Sequence, residues 1–89
     1  MACEFTGDKP ALQAFVLNVL SHLNGRNIVP ADDLRGGLGY DNEGVRTVGQ
    51  AILSLVAEHD CNVSWPNDGD YDNCKTVAQL IDLIFGRIS

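Results

Sequence analysis

Gly37-Leu38-Gly39-Tyr40-Asp41-Asn42-Glu43 is the stretch whose reading decides the fold. Its glycines free the backbone to turn, and Asp41 and Asn42 are both strong helix N-cap residues. Glu43 follows in what would be the first turn, where its charge meets the positive end of the helix dipole. A helix is therefore expected to start at Asp41 or Asn42. Val45, Val48, Ile52, Leu55 and Val56 carry its apolar stripe to about Glu58. Gly49 costs about 1 kcal/mol relative to Ala in mid-helix; it either marks a close helix crossing or is simply tolerated.

Upstream, Ala11, Leu12, Phe15, Val16, Val19, Leu20 and Leu23 recur at helical spacing. Asp8 lies where an N-cap is wanted, Pro10 lies in the first turn, and Asn24-Gly25 stops the helix. Met1 to Gly7 shows little periodicity and reads as a loosely ordered lead-in. Between the two helices runs a long connection, Arg26 to Tyr40. Its apolar residues Ile28, Val29 and Leu34 are expected to tuck under the helices, which favours an ordered loop.

Downstream, Cys61 to Cys74 is a second connection, polar and acidic, with Val63 and Trp65 as apolar anchors and room for a short helix. Thr76-Val77-Ala78-Gln79 fits a capping box, and Val77, Leu80, Ile81, Ile84, Phe85 and Ile88 give the last helix its buried stripe. Three main helices and two structured loops make one all-α domain over residues 1–89, a small helix bundle.

Composition fits this reading. At 89 residues there is no room for a second core. A hydrophobic content of 45% argues against disorder. No apolar run approaches the ~18 residues that span a bilayer, and no basic-then-apolar leader opens the chain. A cytoplasmic domain without membrane association, and a monomer, is expected. Twelve acids against six scattered bases give a net charge of −6. That balance excludes nucleic acid as a natural partner and suits a basic protein surface. Cys3, Cys61 and Cys74 are odd in number and show no CxxC spacing, so reduced, partly buried thiols are expected. A Cys61–Cys74 disulfide stays open as an alternative that a cytosolic setting disfavours.

Catalytic chemistry finds little support. His22 adjoins Ser21 on a helix, where neighbours point about 100° apart, and His59 suits a helix C-terminus. No nucleophile has a base and an orienting group, so no catalytic residue is assigned and enzymatic activity is not expected. Asp68-Gly69-Asp70-Tyr71-Asp72 places carboxylates at the first, third and fifth positions of an EF-hand-like loop. Asn73 would stand at the sixth position and Gln79 at the twelfth, where a neutral amide supplies no bidentate carboxylate. Asp68, Asp70 and Asp72 are thus weak calcium candidates, and a calcium-binding helical module is a minor alternative.

Taken together, the helix, the long loop and the Leu38-Gly39-Tyr40-Asp41-Asn42 turn resemble the acyl carrier protein family over nearly the whole chain. In that family a motif of the form Asp-Leu-Gly-x-Asp-Ser-Leu opens the second helix, and its serine carries 4′-phosphopantetheine. Ile28-Val29-Pro30-Ala31-Asp32-Asp33-Leu34 is similar to the family's loop, and Thr76-Val77 with Ile81 and Ile84 to its last helix. The departures matter as much. Asn42 stands at the serine position beside Asp41, Glu43 replaces the following Leu, and Gly37 replaces the first Asp. The second helix, acidic in the family, has one base and no acid over 45–50.

The resemblance therefore implies an acyl-carrier-protein-like fold that lacks its 4′-phosphopantetheine attachment point and holds no cofactor. It would act as a protein-interaction or regulatory module, biosynthetic enzymes being among its expected partners. Tyr40, Asn42, Glu43, Arg46, Thr47 and Gln50 are the candidate partner-binding residues. The alternative is a working or specialised acyl or peptidyl carrier in fatty-acid, polyketide or related biosynthesis.

Overall fold

The computed structural model describes residues 3–89 and shows an all-α bundle of four helices. Helix α1 spans Lys9–Asn24, α2 Asn42–Ala57, α3 Asp68–Asp72 and α4 Val77–Phe85. Helix α1 packs against α4 and α2 against α3, while α2 and α3 both also touch α4. Among the described residues, β-type pairing consists of two isolated bridges, Asp33 with Thr76 and Val63 with Ile88.

The helix starts have local causes, and so does the end of α1. The Asp8 carboxylate accepts from the Ala11 amide, Pro10 lies in the first turn of α1, and Gly25 ends that helix at φ 66°. A left-handed residue at this place lets the chain turn back and satisfy a terminal carbonyl, and glycine adopts it without a Cβ penalty. The expected capping box at α4 is present: the Thr76 hydroxyl accepts from the Gln79 amide at 3.2 Å, and Gln79 Oε1 accepts from the Thr76 amide at 3.3 Å. A second box, Asn67 with Asp70, opens the short α3.

Leu12, Val16, Leu20, Val45, Ile52, Leu53, Val56, Leu80 and Ile84 are fully buried and form the centre of the core. Tyr71 of α3 joins them, its ring packed against Gly49 of α2. A Cβ built on Gly49 would stand 2.7 Å from Tyr71 Cδ1, so the glycine marks a close crossing. Helix α3 can seat its aromatic ring on α2 only where no side chain intervenes.

The long connection is ordered because it caps another helix. The first N–H groups of an α-helix have no partner within it. At α4, the Val77 amide donates to Asp32 O at 3.0 Å and the Ala78 amide to Pro30 O at 2.9 Å. The Leu34 amide donates to Lys75 O at 2.8 Å, and Ile28 and Leu34 are buried beneath.

Several expectations are corrected. Val29, Leu23 and Trp65 are more than half exposed, and Leu55 is exposed too, so these apolar residues do not anchor the core. Ile88 lies beyond α4 and bridges to Val63. The lead-in is not loose over its described part: 4–7 forms turns, and Phe5 is buried against Phe15 with ring centroids 5.1 Å apart. The expectation for Met1 and Ala2 lies outside the described residues.

The cysteines are also not all reduced. Cys3 and Cys61 form a disulfide, with Cα atoms 4.7 Å apart, and Cys74 is the free, buried thiol. The Cys61–Cys74 alternative is therefore wrong as well. Pairing Cys3 with Cys61 requires the lead-in to fold back beside the end of α2, which no local pattern announces.

Candidate functional site

The turn before α2 is built by backbone geometry. Gly39 sits at φ 79°, where an L side chain is strained, and the Tyr40 amide returns to Leu34 O at 2.9 Å. Tyr40 leaves this turn with its ring partly buried and its hydroxyl accepting from Asn24 Nδ2 at 3.2 Å. The end of α1 and the start of α2 are thus tied together.

Asp41 alone is the N-cap: its extended backbone lets Oδ1 accept from the Gly44 amide at 2.7 Å. Asn42 is the first residue of the helix and caps nothing. With Asp41 bonded to Gly44, a carboxylate meets the positive end of the dipole.

Asn42 is held instead by Arg35, a residue the sequence did not single out. Arg35 Nη1 donates to Asn42 Oδ1 at 2.5 Å. The same guanidinium donates through Nε and Nη2 to Cys74 O at 3.2 and 3.0 Å, and through Nη2 to Asp72 O at 2.9 Å. It thereby satisfies carbonyls left without partners at the end of α3. A planar fork of donors can reach both targets at once. An arginine before a glycine-rich turn has no period or motif, so nothing local announced this role.

Arg46, one turn along α2, also faces α3. Its Nε and Nη2 donate to Asp72 Oδ1 and Oδ2 at 2.8 and 2.6 Å, and Nη1 lies 3.9 Å from Asp68. Hydrogen bonds from Arg46 hold the Asp72 carboxyl below its ordinary range, and the same bonds keep the guanidinium firmly protonated. Arg46 is thus engaged within the fold. Glu43, Thr47 and Gln50 are exposed, and their spacing of four and three places them along one face of α2. The six expected partner-binding residues therefore divide: Tyr40 and Arg46 are partly buried in the end of the bundle, Glu43, Thr47 and Gln50 face outward, and Asn42 is exposed while bonded to Arg35.

The EF-hand-like arrangement does not form. Asp68, Asp70 and Asp72 lie on a helix, not in a loop. Asp70 Oδ2 accepts from the Asn67 amide at 3.2 Å and from Arg87 Nη2 at 3.0 Å, while Asp72 is taken by Arg46. Among the described residues no three His, Cys, Asp or Glu side chains gather as a metal site would require.

The remaining reactive groups are separate. His22 is exposed in the last turn of α1. His59 does not end α2, which stops at Ala57; it sits edge-on to Phe5 and Phe15 and places Nδ1 3.1 Å from Glu4 Oε1. Burial pushes the Cys74 thiol up, which disfavours the reactive thiolate. No described helix is long and apolar enough to cross a membrane.

Comparison with protein families, curated proteins and solved structures finds no match to this chain.

Proposed function

We propose that this is an acyl-carrier-protein-like domain that carries no 4′-phosphopantetheine at the start of α2 and serves as a protein-interaction or regulatory module. One observation supports it above the others. Asn42, at the position where the resembled family has its serine, is fastened by Arg35 to the end of α3. A carboxamide offers no hydroxyl oxygen for a phosphodiester, and here its oxygen is committed to a structural bond.

The order of elements is consistent with the same reading: a long first helix, a long capped loop, a second helix, a short third and a last helix. The outward face of Glu43, Thr47 and Gln50 is the surface left for a partner. Its chemistry is polar with a single carboxylate, so recognition would rest on shape and hydrogen bonding more than on charge.

The test is mass spectrometry after incubation with coenzyme A and a broad-range phosphopantetheinyl transferase. An unchanged mass is expected. A stable phosphopantetheine adduct on any residue would return the chain to the working carriers.

A further inference from the structure

The bond between Cys3 and Cys61 joins two segments that are held very differently. On the Cys61 side the backbone is fastened to the end of the chain by main-chain bonds. Ser64 N donates to Arg87 O at 2.8 Å, Ser89 N donates to Asn62 O at 2.9 Å, and Val63 bridges Ile88. On the Cys3 side, residues 3–7 make no such ladder among the described residues. Their hold consists of the buried Phe5 ring, an exposed Glu4–His59 contact and a long Thr6 Oγ1 to Ser89 O bond of 3.4 Å.

Phe5 sits on a small aromatic seat, 5.1 Å from the Phe15 ring and 5.5 Å from the His59 ring. That seat lies at the far end of α2 from Asn42, about 24 Å away at 1.5 Å per residue. The burial of one ring falls short of what ordering five backbone residues costs. The covalent bond makes up the difference, because it removes conformations that the unlinked strap would otherwise sample.

We propose that the Cys3–Cys61 disulfide is a redox-operated clasp. Closed, it holds residues 3–7 as a strap over Phe15 and His59. Opened by a dithiol reductant, it frees the strap while the four helices stay folded. One thiolate of the reductant attacks the Sγ of Cys3, a partly exposed residue, whereas Cys61 is buried. The sulfur–sulfur bond breaks and Cys61 leaves as a thiolate that takes up a proton. The second thiol of the reductant then attacks the mixed disulfide, releasing the Cys3 thiol. The protein gains two electrons and two protons, and the reductant ends as its own disulfide. Cys74 takes no part, being buried beside α3 and Arg35.

The test compares the full chain before and after treatment with dithiothreitol. Thiol titration in denaturant should count one thiol before treatment and three after. On reduction, hydrogen exchange at the Asp8 amide, which donates to Phe5 O at 3.1 Å, should speed up roughly tenfold or more. The Phe5–Phe15 nuclear Overhauser contact should vanish while far-ultraviolet circular dichroism stays unchanged. Cys3→Ser, without reductant, should reproduce the reduced behaviour. Three free thiols in the untreated protein would overturn the proposal. So would a strap that stays protected in both the reduced protein and Cys3→Ser. Loss of helix in those two forms would also overturn it, by showing a staple for the whole domain instead of a clasp.

Discussion

Arg35 and Asn42 are joined by a 2.5 Å hydrogen bond from guanidinium to side-chain carbonyl, and the rest of that guanidinium closes the end of α3. A single side chain from the long loop thereby couples the starting turn of α2 to the residues after Tyr71. Arg35→Ala should lower the free energy of unfolding by about 2–3 kcal/mol, the range for charge-assisted bonds to partly buried carbonyls. Arg35→Lys should recover less than half, since an ammonium cannot span both targets. Asn42→Ala should cost less than about 1 kcal/mol, because the α3 carbonyls keep their donor. Urea unfolding of the three variants checks the order.

Gly49 and Tyr71 form the second critical contact. Gly49→Ala gains about 1 kcal/mol in helix propensity, but the new methyl group meets the Tyr71 ring. We expect a net destabilisation of about 1–3 kcal/mol, as for other overpacked cores. Combining it with Tyr71→Leu should give a coupling of opposite sign, measured as a double-mutant cycle.

Among the described residues the buried Tyr71 hydroxyl has no hydrogen-bond partner. Tyr71→Phe should therefore stabilise the domain by about 1 kcal/mol, by removing an unpaid desolvation cost. Burial also raises the phenol above its ordinary value near 10. Below that value both folded and unfolded chains keep the proton. Above it the unfolded chain ionises first, so stability falls as pH rises through the folded value. Thermal unfolding between pH 9 and 11 should decline less steeply in Tyr71→Phe than in the parent.

Asp72 titrates in the opposite sense. Its folded carboxyl is held below the unfolded value of about 3.9 by Arg46. The stability it contributes is complete above that value and is lost as pH falls toward the folded one. Asp72→Asn should thus be less stable than the parent at pH 7, and the gap should close as pH is lowered below about 4. Melting temperatures across pH 2–7 read this directly.

The family reading makes its own prediction. Asn42→Ser/Glu43→Leu restores the two residues that depart most from the resembled motif. This variant should gain a phosphopantetheine adduct that the parent does not, seen as a mass shift confined to Ser at position 42. A refolded, helical variant that stays unmodified would count against the resemblance.

What could be read without coordinates were the features with local causes. Asp8 with Asn24-Gly25, the Asp41-Asn42 pair and the Thr76–Gln79 box mark helix limits through bonds that span only a few residues. The apolar periodicity of α1, α2 and α4 is a helical property in its own right, and with it the all-α bundle was legible. The short Asn67–Asp70 box was equally local and showed only as room for a helix.

Tertiary structure decided everything that joins distant positions. Whether Gly49 was a crossing or a tolerated cost depended on where Tyr71 came to lie. Asn42 was legible as standing where the resembled family has its serine, but its commitment to Arg35 depended on how the loop crosses α3. Val29, Leu23 and Trp65 are apolar yet exposed, because hydrophobicity determines which residues gain from burial and not which ones find room. The Cys3–Cys61 bond, across 58 positions, required the lead-in to return to the end of α2. Such pairings are set by the packing of whole helices, and local patterning carries no record of them.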